Sequence, residues 1–112
     1  MNVTVDRVEQ VDLVFVITET IDIQNALGFR HDFESLVRRG GSVVLDLSHV
    51  GFVDSVGLGA ILVCLGRLVE KGGDLKLCNL TKPVRAMLEL VGIHRVLEIY
   101  DDCQSALGAF AN

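Results

Sequence analysis

The sequence has no basic cluster. Its longest run of adjacent cations is the pair Arg38-Arg39, and the formal net charge is −5. Nucleic-acid binding needs a cationic footprint to face phosphates, so that class is not expected. A long apolar run is also missing. Half of the 112 residues are hydrophobic and the mean hydropathy is +0.46, yet the longest candidate, Val56 to Val69, is broken by Gly66 and Arg67. That stretch is well short of the roughly 20 apolar residues of a spanning helix, so no membrane span is expected. Met1 is followed by strand-like alternation and not by a basic then apolar leader, so no signal peptide is expected. There is no Cys-x-x-Cys pair. Cys64, Cys78 and Cys103 are odd in number and widely spaced along the chain, which gives no zinc motif. Cys64 and Cys78 sit among apolar neighbours and read as small core residues, a usage that fits a reducing cytoplasm. Pro83 is the only proline, and no repeat, biased tract or linker interrupts the chain. Residues 1–112 therefore read as one domain.

What is present is an alternation of strand-like and helix-like periods. Val3-Thr4-Val5 alternates and Val11 to Ile17 is β-branched and apolar, which predicts a hairpin turning at Glu9-Gln10. From Asp22 the spacing becomes helical through Ile23, Ala26, Leu27, Phe33, Leu36 and Val37, with Asp22 as a candidate N-cap and Gly40-Gly41 as the stop. Ser42 to Leu47 is a short continuous apolar run of the kind buried on both faces of a parallel sheet. A helix is expected from Ser55 to Gly72-Gly73, with Leu58, Ile61, Leu62, Leu65, Leu68 and Val69 inward. A strand over Asp74 to Leu80 follows. A helix capped by Thr81 then carries Pro83 in its first turn, where proline costs little. The pattern closes with a strand over Val96 to Tyr100 and a helix opened by Asp101 or Asp102. The predicted order is β-β-α-β-α-β-α-β-α, an α/β fold with a mixed sheet and helices. In open sheets of this kind, sites gather at the carboxyl ends of strands. That rule points to the loop after Leu47, which leads into Asp54-Ser55.

Several chemistries fail at that loop. Ser55 stands in Val53-Asp54-Ser55-Val56-Gly57, which lacks the first glycine of a nucleophile elbow. Nothing in the sequence aims His31, His49 or His94 at it as a base. No phosphate-cradling Gly-rich lysine loop is present, and Asp6, Asp12, Asp46 and Asp54 form no metal-ligand string. No cofactor, metal or catalytic residue is expected. Two readings of Ser55 stay open. Serine is a favoured N-cap. A serine at an accessible helix start can also accept a phosphate, which adds about −1.5 to −2 charges where the positive helix end holds an anion. Asp54 can complement the same helix end, and Gly57 and Gly59 allow it to pack closely. Val56, Ala60 and Val63 share a second helix face with Arg67, which is either more core or a docking patch rimmed by Asp22, His49 and Asp54.

The stretch "VVLDLSHVGFVDSVGLGAI" resembles the signature of STAS domains, in particular bacterial anti-sigma factor antagonists. Asp46-Leu47-Ser48, Phe52-Val53, Asp54-Ser55 and Gly57-Leu58-Gly59 carry the likeness, and length and element order agree along nearly the whole chain. Val56 stands where the family often has serine or threonine, and Glu19-Thr20-Ile21-Asp22 lacks the first glycine of the family's segment. The resemblance implies a binding protein and not an enzyme. Its unphosphorylated form would bind an anti-sigma factor, a serine kinase of the histidine-kinase-like type. Phosphorylation of Ser55 would release it, and a serine phosphatase would restore it. Asp22, His49, Asp54, Val56, Gly57, Ala60 and Val63 would form the partner surface, in a cytoplasmic regulator of transcription. The alternatives are a STAS subunit of a transport or stress-signalling complex that binds constitutively, with Ser55 only a cap, and a small hydrolase or nucleotide-binding enzyme.

Overall fold

A computed structural model describes residues 3–110. Strands β1 (Val3–Val8) and β2 (Val11–Val16) form the expected hairpin, antiparallel with Val8 opposite Val11, and Glu9 adopts a left-handed φ of 55° at the turn. Strand β4 (Ser42–Asp46) lies parallel to β2, β6 (Asp74–Cys78) parallel to β4, and β7 (Glu98–Tyr100) parallel to β6, giving the order β1-β2-β4-β6-β7. Two further strands, β3 (Thr20–Ile21) and β5 (Phe52–Val53), pair with each other in a separate two-residue ribbon. They are too short to leave a periodic signal, and the sequence reading missed them.

Helices α1 (Ala26–Arg39), α2 (Ser55–Glu70) and α3 (Lys82–Leu90) cover one face of the sheet, and α4 (Cys103–Phe110) covers the other. Side-chain alternation sorts the central strands accordingly. Val43, Leu45, Leu75 and Leu77 point to the three-helix side, whereas Val44 and Cys78 join Ala106 beneath α4. Leu68, Phe33 and Leu88 are fully enclosed on the larger side. Each such side chain contributes about 1.5–3 kcal/mol relative to exposure.

Several boundaries differ from expectation for identifiable reasons. Helix α1 starts at Ala26 and not at Asp22. The Asp22 carbonyl accepts the N–H groups of Asn25 and Ala26, and its carboxylate accepts that of Gln24, so Asp22 opens a tight turn and Asn25 takes the cap position. Ile23 and Leu27 are consequently 70% and 77% exposed, and Phe29 joins Ala26, Phe33, Leu36 and Val37 inside. Val69 also faces out. Thr81 does precede α3, but its hydroxyl donates to the Val50 carbonyl (2.8 Å) and accepts no N–H from its own helix. Strand β6 ends at Cys78, because Asn79 turns left-handed at φ 57°. A 3-10 turn over Ile93–Arg95 shortens the last strand. At the amino edge of the sheet, Gly73 meets Gly41 backbone to backbone: a Cβ at 73 would lie 1.7 Å from the Gly41 carbonyl oxygen.

Two buried charges were not legible in the periodicity. Lys76 lies under α4, bonded to Glu98 (2.8 Å) and Asp74 (3.2 Å), with its ammonium 4.5 Å from the Phe110 ring centre. Asp12 is 1% exposed and binds Arg7 (3.1 Å) and Arg39 (2.7 Å) through one oxygen, tying the hairpin to the end of α1. Both arginines are about half exposed, so water can replace the carboxylate for them but not the arginines for Asp12. Replacing both Arg7 and Arg39 with alanine strands the buried Asp12 carboxylate and is expected to lower unfolding stability by about 3–5 kcal/mol in urea titration. Asp12→Ala, which leaves two arginines that water can solvate, should cost less, and an equal or larger loss would overturn this ordering.

Candidate functional site

The carboxyl end of β4 leads through residues 47–51 into the β3–β5 ribbon and then to α2. Gly51 N–H bonds to the Glu19 carbonyl and Asp54 N–H to the Ile21 carbonyl, so the loops before α1 and α2 are laced together. Asp54, not Ser55, occupies the N-cap of α2. One carboxylate oxygen accepts the Gly57 N–H at 2.7 Å, and the other accepts the Ile23 N–H at 3.0 Å. The expected cap role of Ser55 is thereby taken by its neighbour. An aspartate cap adds charge to the hydrogen bond at the positive helix end, and only Asp54 can also reach the loop before α1.

Displaced from the cap, Ser55 is the first residue of α2 and is exposed. Its hydroxyl has no hydrogen-bond partner among the described residues. Beside it, Ile23, Ala26, Leu27 and Arg30 from the α1 side and Val56, Gly59, Ala60 and Val63 from α2 line an apolar groove of about 400 Å³. Ile23, Leu27, Val56 and Val63 are all exposed there. The fold therefore gathers Val56, Ala60 and Val63 on one wall, with Ala60 itself largely buried. Asp22 and Asp54 lie at the groove's head, since they hold the turn that carries Ile23. His49 is exposed with its ring 6.5 Å from that of Phe15, and it does not line the groove. Ile23, Leu27 and Arg30 are groove residues that sequence reasoning placed elsewhere or passed over. With Ala26, Phe29, Phe33, Leu36 and Val37 turned inward, Leu27 and Arg30 fall on the outer side of α1.

Gly57 and Gly59 prove unequal. A Cβ at Gly57 would sit 2.0 Å from the Ile21 carbonyl oxygen, whereas one at Gly59 would meet nothing within 4 Å. Close packing is therefore needed at Gly57 alone. The far end of the groove is clasped by Arg67, which binds both oxygens of Glu34 at 2.6 and 3.0 Å. That hydrogen bonding holds the Glu34 carboxyl down at about 2, against an ordinary 4.5.

On the opposite face of the sheet, Cys78 and Cys103 have sulfurs 2.9 Å apart, and the Cys103 sulfur lies 3.1 Å from an Asp46 oxygen. Burial pushes both thiols up. The cysteines are 25 residues apart in the chain, so no local spacing announced this cluster.

Two measurements bear on the site's construction. Gly57→Ala should destabilise by about 2–4 kcal/mol, while Gly59→Ala should be neutral or stabilising by up to about 1 kcal/mol, as read by thermal unfolding. Because the folded-state pKa of Glu34 is depressed, the stabilising effect of the clasp is complete above the ordinary 4.5 and is lost as pH falls through about 2. An NMR titration should find the Glu34 midpoint near 2, and Arg67→Ala should return it toward 4.5.

Comparison with known proteins places this geometry in a family. The STAS domain pattern matches residues 2–106. The anti-sigma F factor antagonist of Paenibacillus polymyxa is 37% identical over 65 residues, a match spanning 58% of this chain and 56% of that protein. The anti-sigma-B factor antagonist of Bacillus subtilis is 28% identical over 100 residues, 88% of this chain and 92% of that protein. The structure of an anti-sigma-factor antagonist (STAS) domain protein from Planctomyces limnophilus superposes with a TM-score of 0.88 at 22% identity, over 98% of both chains, which establishes the shared fold. Among the described residues no helix is long and apolar enough to cross a membrane. With the fold, the Asp54-capped helix mouth and the family pattern in agreement, the chain belongs to the STAS domain family.

Proposed function

We propose that the chain is an anti-sigma factor antagonist whose partner docks on the α1–α2 groove and is released when Ser55 is phosphorylated. The observation that carries this reading is an exposed Ser55 hydroxyl, free of hydrogen bonds to the described residues, one residue before Val56 of the apolar groove. The partner is an anti-sigma factor with serine kinase activity. It transfers the γ-phosphoryl group of ATP to the Ser55 oxygen and leaves ADP, and a serine phosphatase hydrolyses the ester. The chain itself is the substrate in the cytoplasm and catalyses nothing.

The physics of release follows from the division of labour at the helix mouth. Asp54 already satisfies Gly57, so a phosphate on Ser55 disturbs no existing cap. The remaining first-turn N–H groups and the helix end favour the anion. A docked partner instead meets new charge beside Asp54, with like-charge repulsion and lost apolar contact. The bound state is lost while the fold is kept. The relatives' names support the partner class, and the groove supports its location. Asp22, Asp54, Val56, Ala60 and Val63 belong to this surface in the proposal, the buried Gly57 sets the helix start beneath it, and His49 serves only at its margin.

Ser55→Asp should weaken binding to the kinase at least about tenfold, a loss of about 1.4 kcal/mol, with an unchanged far-ultraviolet circular dichroism spectrum. Ser55→Ala should bind like the wild type and take no phosphate. Incubation with the partner kinase and ATP, followed by peptide mass spectrometry, should locate one phosphate on Ser55. Phosphate on another residue, or none, overturns the reading.

A further inference from the structure

We propose that Asp46, Cys78 and Cys103 form a binding site for a thiophilic divalent cation of the Zn2+ class, on the α4 side of the sheet and independent of the groove. The three donors come from the end of β4, the end of β6 and the start of α4, and their ligand atoms all lie within 4.8 Å of one another. Two thiolates with a carboxylate are a donor set that suits zinc, which takes three protein ligands and an exchangeable fourth position in open sites. Cys78 is fully buried, while Asp46 and Cys103 are partly exposed and leave an approach from solvent.

Two features separate this cluster from an ordinary pair of core thiols. First, the half-buried Asp46 carboxylate has only neutral hydrogen-bond partners: the Ser48 N–H (2.9 Å), the Asn79 side-chain amide (3.2 Å) and the Cys103 thiol (3.1 Å). Its charge has no cation to answer it in this set. Second, Asn79 adopts a left-handed φ of 57°, and its side-chain N–H group reaches both the Asp46 oxygen and, at 3.3 Å, the Cys103 sulfur. Donors of this kind around ligand atoms orient and stabilise them when they carry charge.

A cation answers the carboxylate where a disulfide does not. Binding releases the two thiol protons as two positive charges arrive, so the cluster keeps its net charge while Asp46 gains a cation in direct contact. Oxidation to a disulfide would instead remove the thiol that donates to Asp46 and leave the carboxylate uncompensated. The geometric adjustment is small. Two thiolates on a tetrahedral zinc stand about 3.8 Å apart, against 2.9 Å here, and the part-exposed Cys103 side chain in the first turn of α4 can rotate outward.

The test uses the full chain, fully reduced with a phosphine, titrated with Zn2+ by calorimetry and with Co2+ by absorption. One Zn2+ should bind per chain with release of two protons, and Co2+ should give a thiolate-to-metal charge-transfer band with tetrahedral visible bands. Cys103→Ser, at the exposed edge of the cluster, should lower affinity at least about 100-fold and Asp46→Asn about tenfold, whereas Cys64→Ser should leave binding unchanged. If Cys78→Ser fails to fold, the Cys103→Ser result and the Co2+ spectrum decide. No stoichiometric binding by the reduced chain, or equal affinity in Cys103→Ser, overturns the proposal. So does a chain that binds no metal when reduced and loses two hydrogens of mass in air, which would identify the pair as a disulfide couple.

Discussion

The Asp54 carboxylate is the constraint on which the rest of the groove depends. One oxygen closes the first turn of α2 and the other holds the amide of Ile23, 31 residues earlier. A single side chain thus fixes two helix approaches against each other. It sets the position of Ile23 on one wall of the groove and of Val56 on the other. It also frees the adjacent serine from structural duty, because a helix needs its first-turn donors satisfied only once. Separate residues for capping and for proposed modification let charge be added at a helix end without unfolding it.

Gly57 is the steric counterpart of that electrostatic tie. Asp54 can reach the Ile23 loop only because the helix start lies against the Ile21 backbone, which a side chain at 57 would block. The Arg67–Glu34 clasp works at the other end of the same helix pair. The groove is therefore bounded by a backbone-level contact at its head and an ion pair at its foot, with small residues between. Apolar side chains left exposed in such a setting are costly to solubility unless something covers them, a cost that the proposed partner would relieve.

How much of this could be read from the chain alone depended on sequence distance. The central strands and α2 were legible, since continuous apolar runs and a 3.6-residue period are local signals. Asp54-Ser55 and Gly57-Leu58-Gly59 stood out as a candidate site because they resemble the STAS signature, from which Val56 departs. The choice of cap was not. Aspartate and serine are near-equal caps, and the tie is broken by Ile23, far away in sequence. The start of α1 was misplaced for a similar reason: the Asn25 side chain bonds the Asp22 N–H and the Thr20 carbonyl, making a turn where the apolar spacing suggested helix. The contact of Cys78 with Cys103 depends on α4 folding back under the sheet, which no spacing rule anticipates.

The close approach of Gly41 and Gly73 sets how tightly the two central strands can start. A Cβ at 73 would strike the Gly41 carbonyl, whereas one at 41 would meet nothing within 4 Å, so the restriction is one-sided. A side chain at 73 could be seated only by prising the openings of β4 and β6 apart, which makes that position a wedge point for the middle of the sheet.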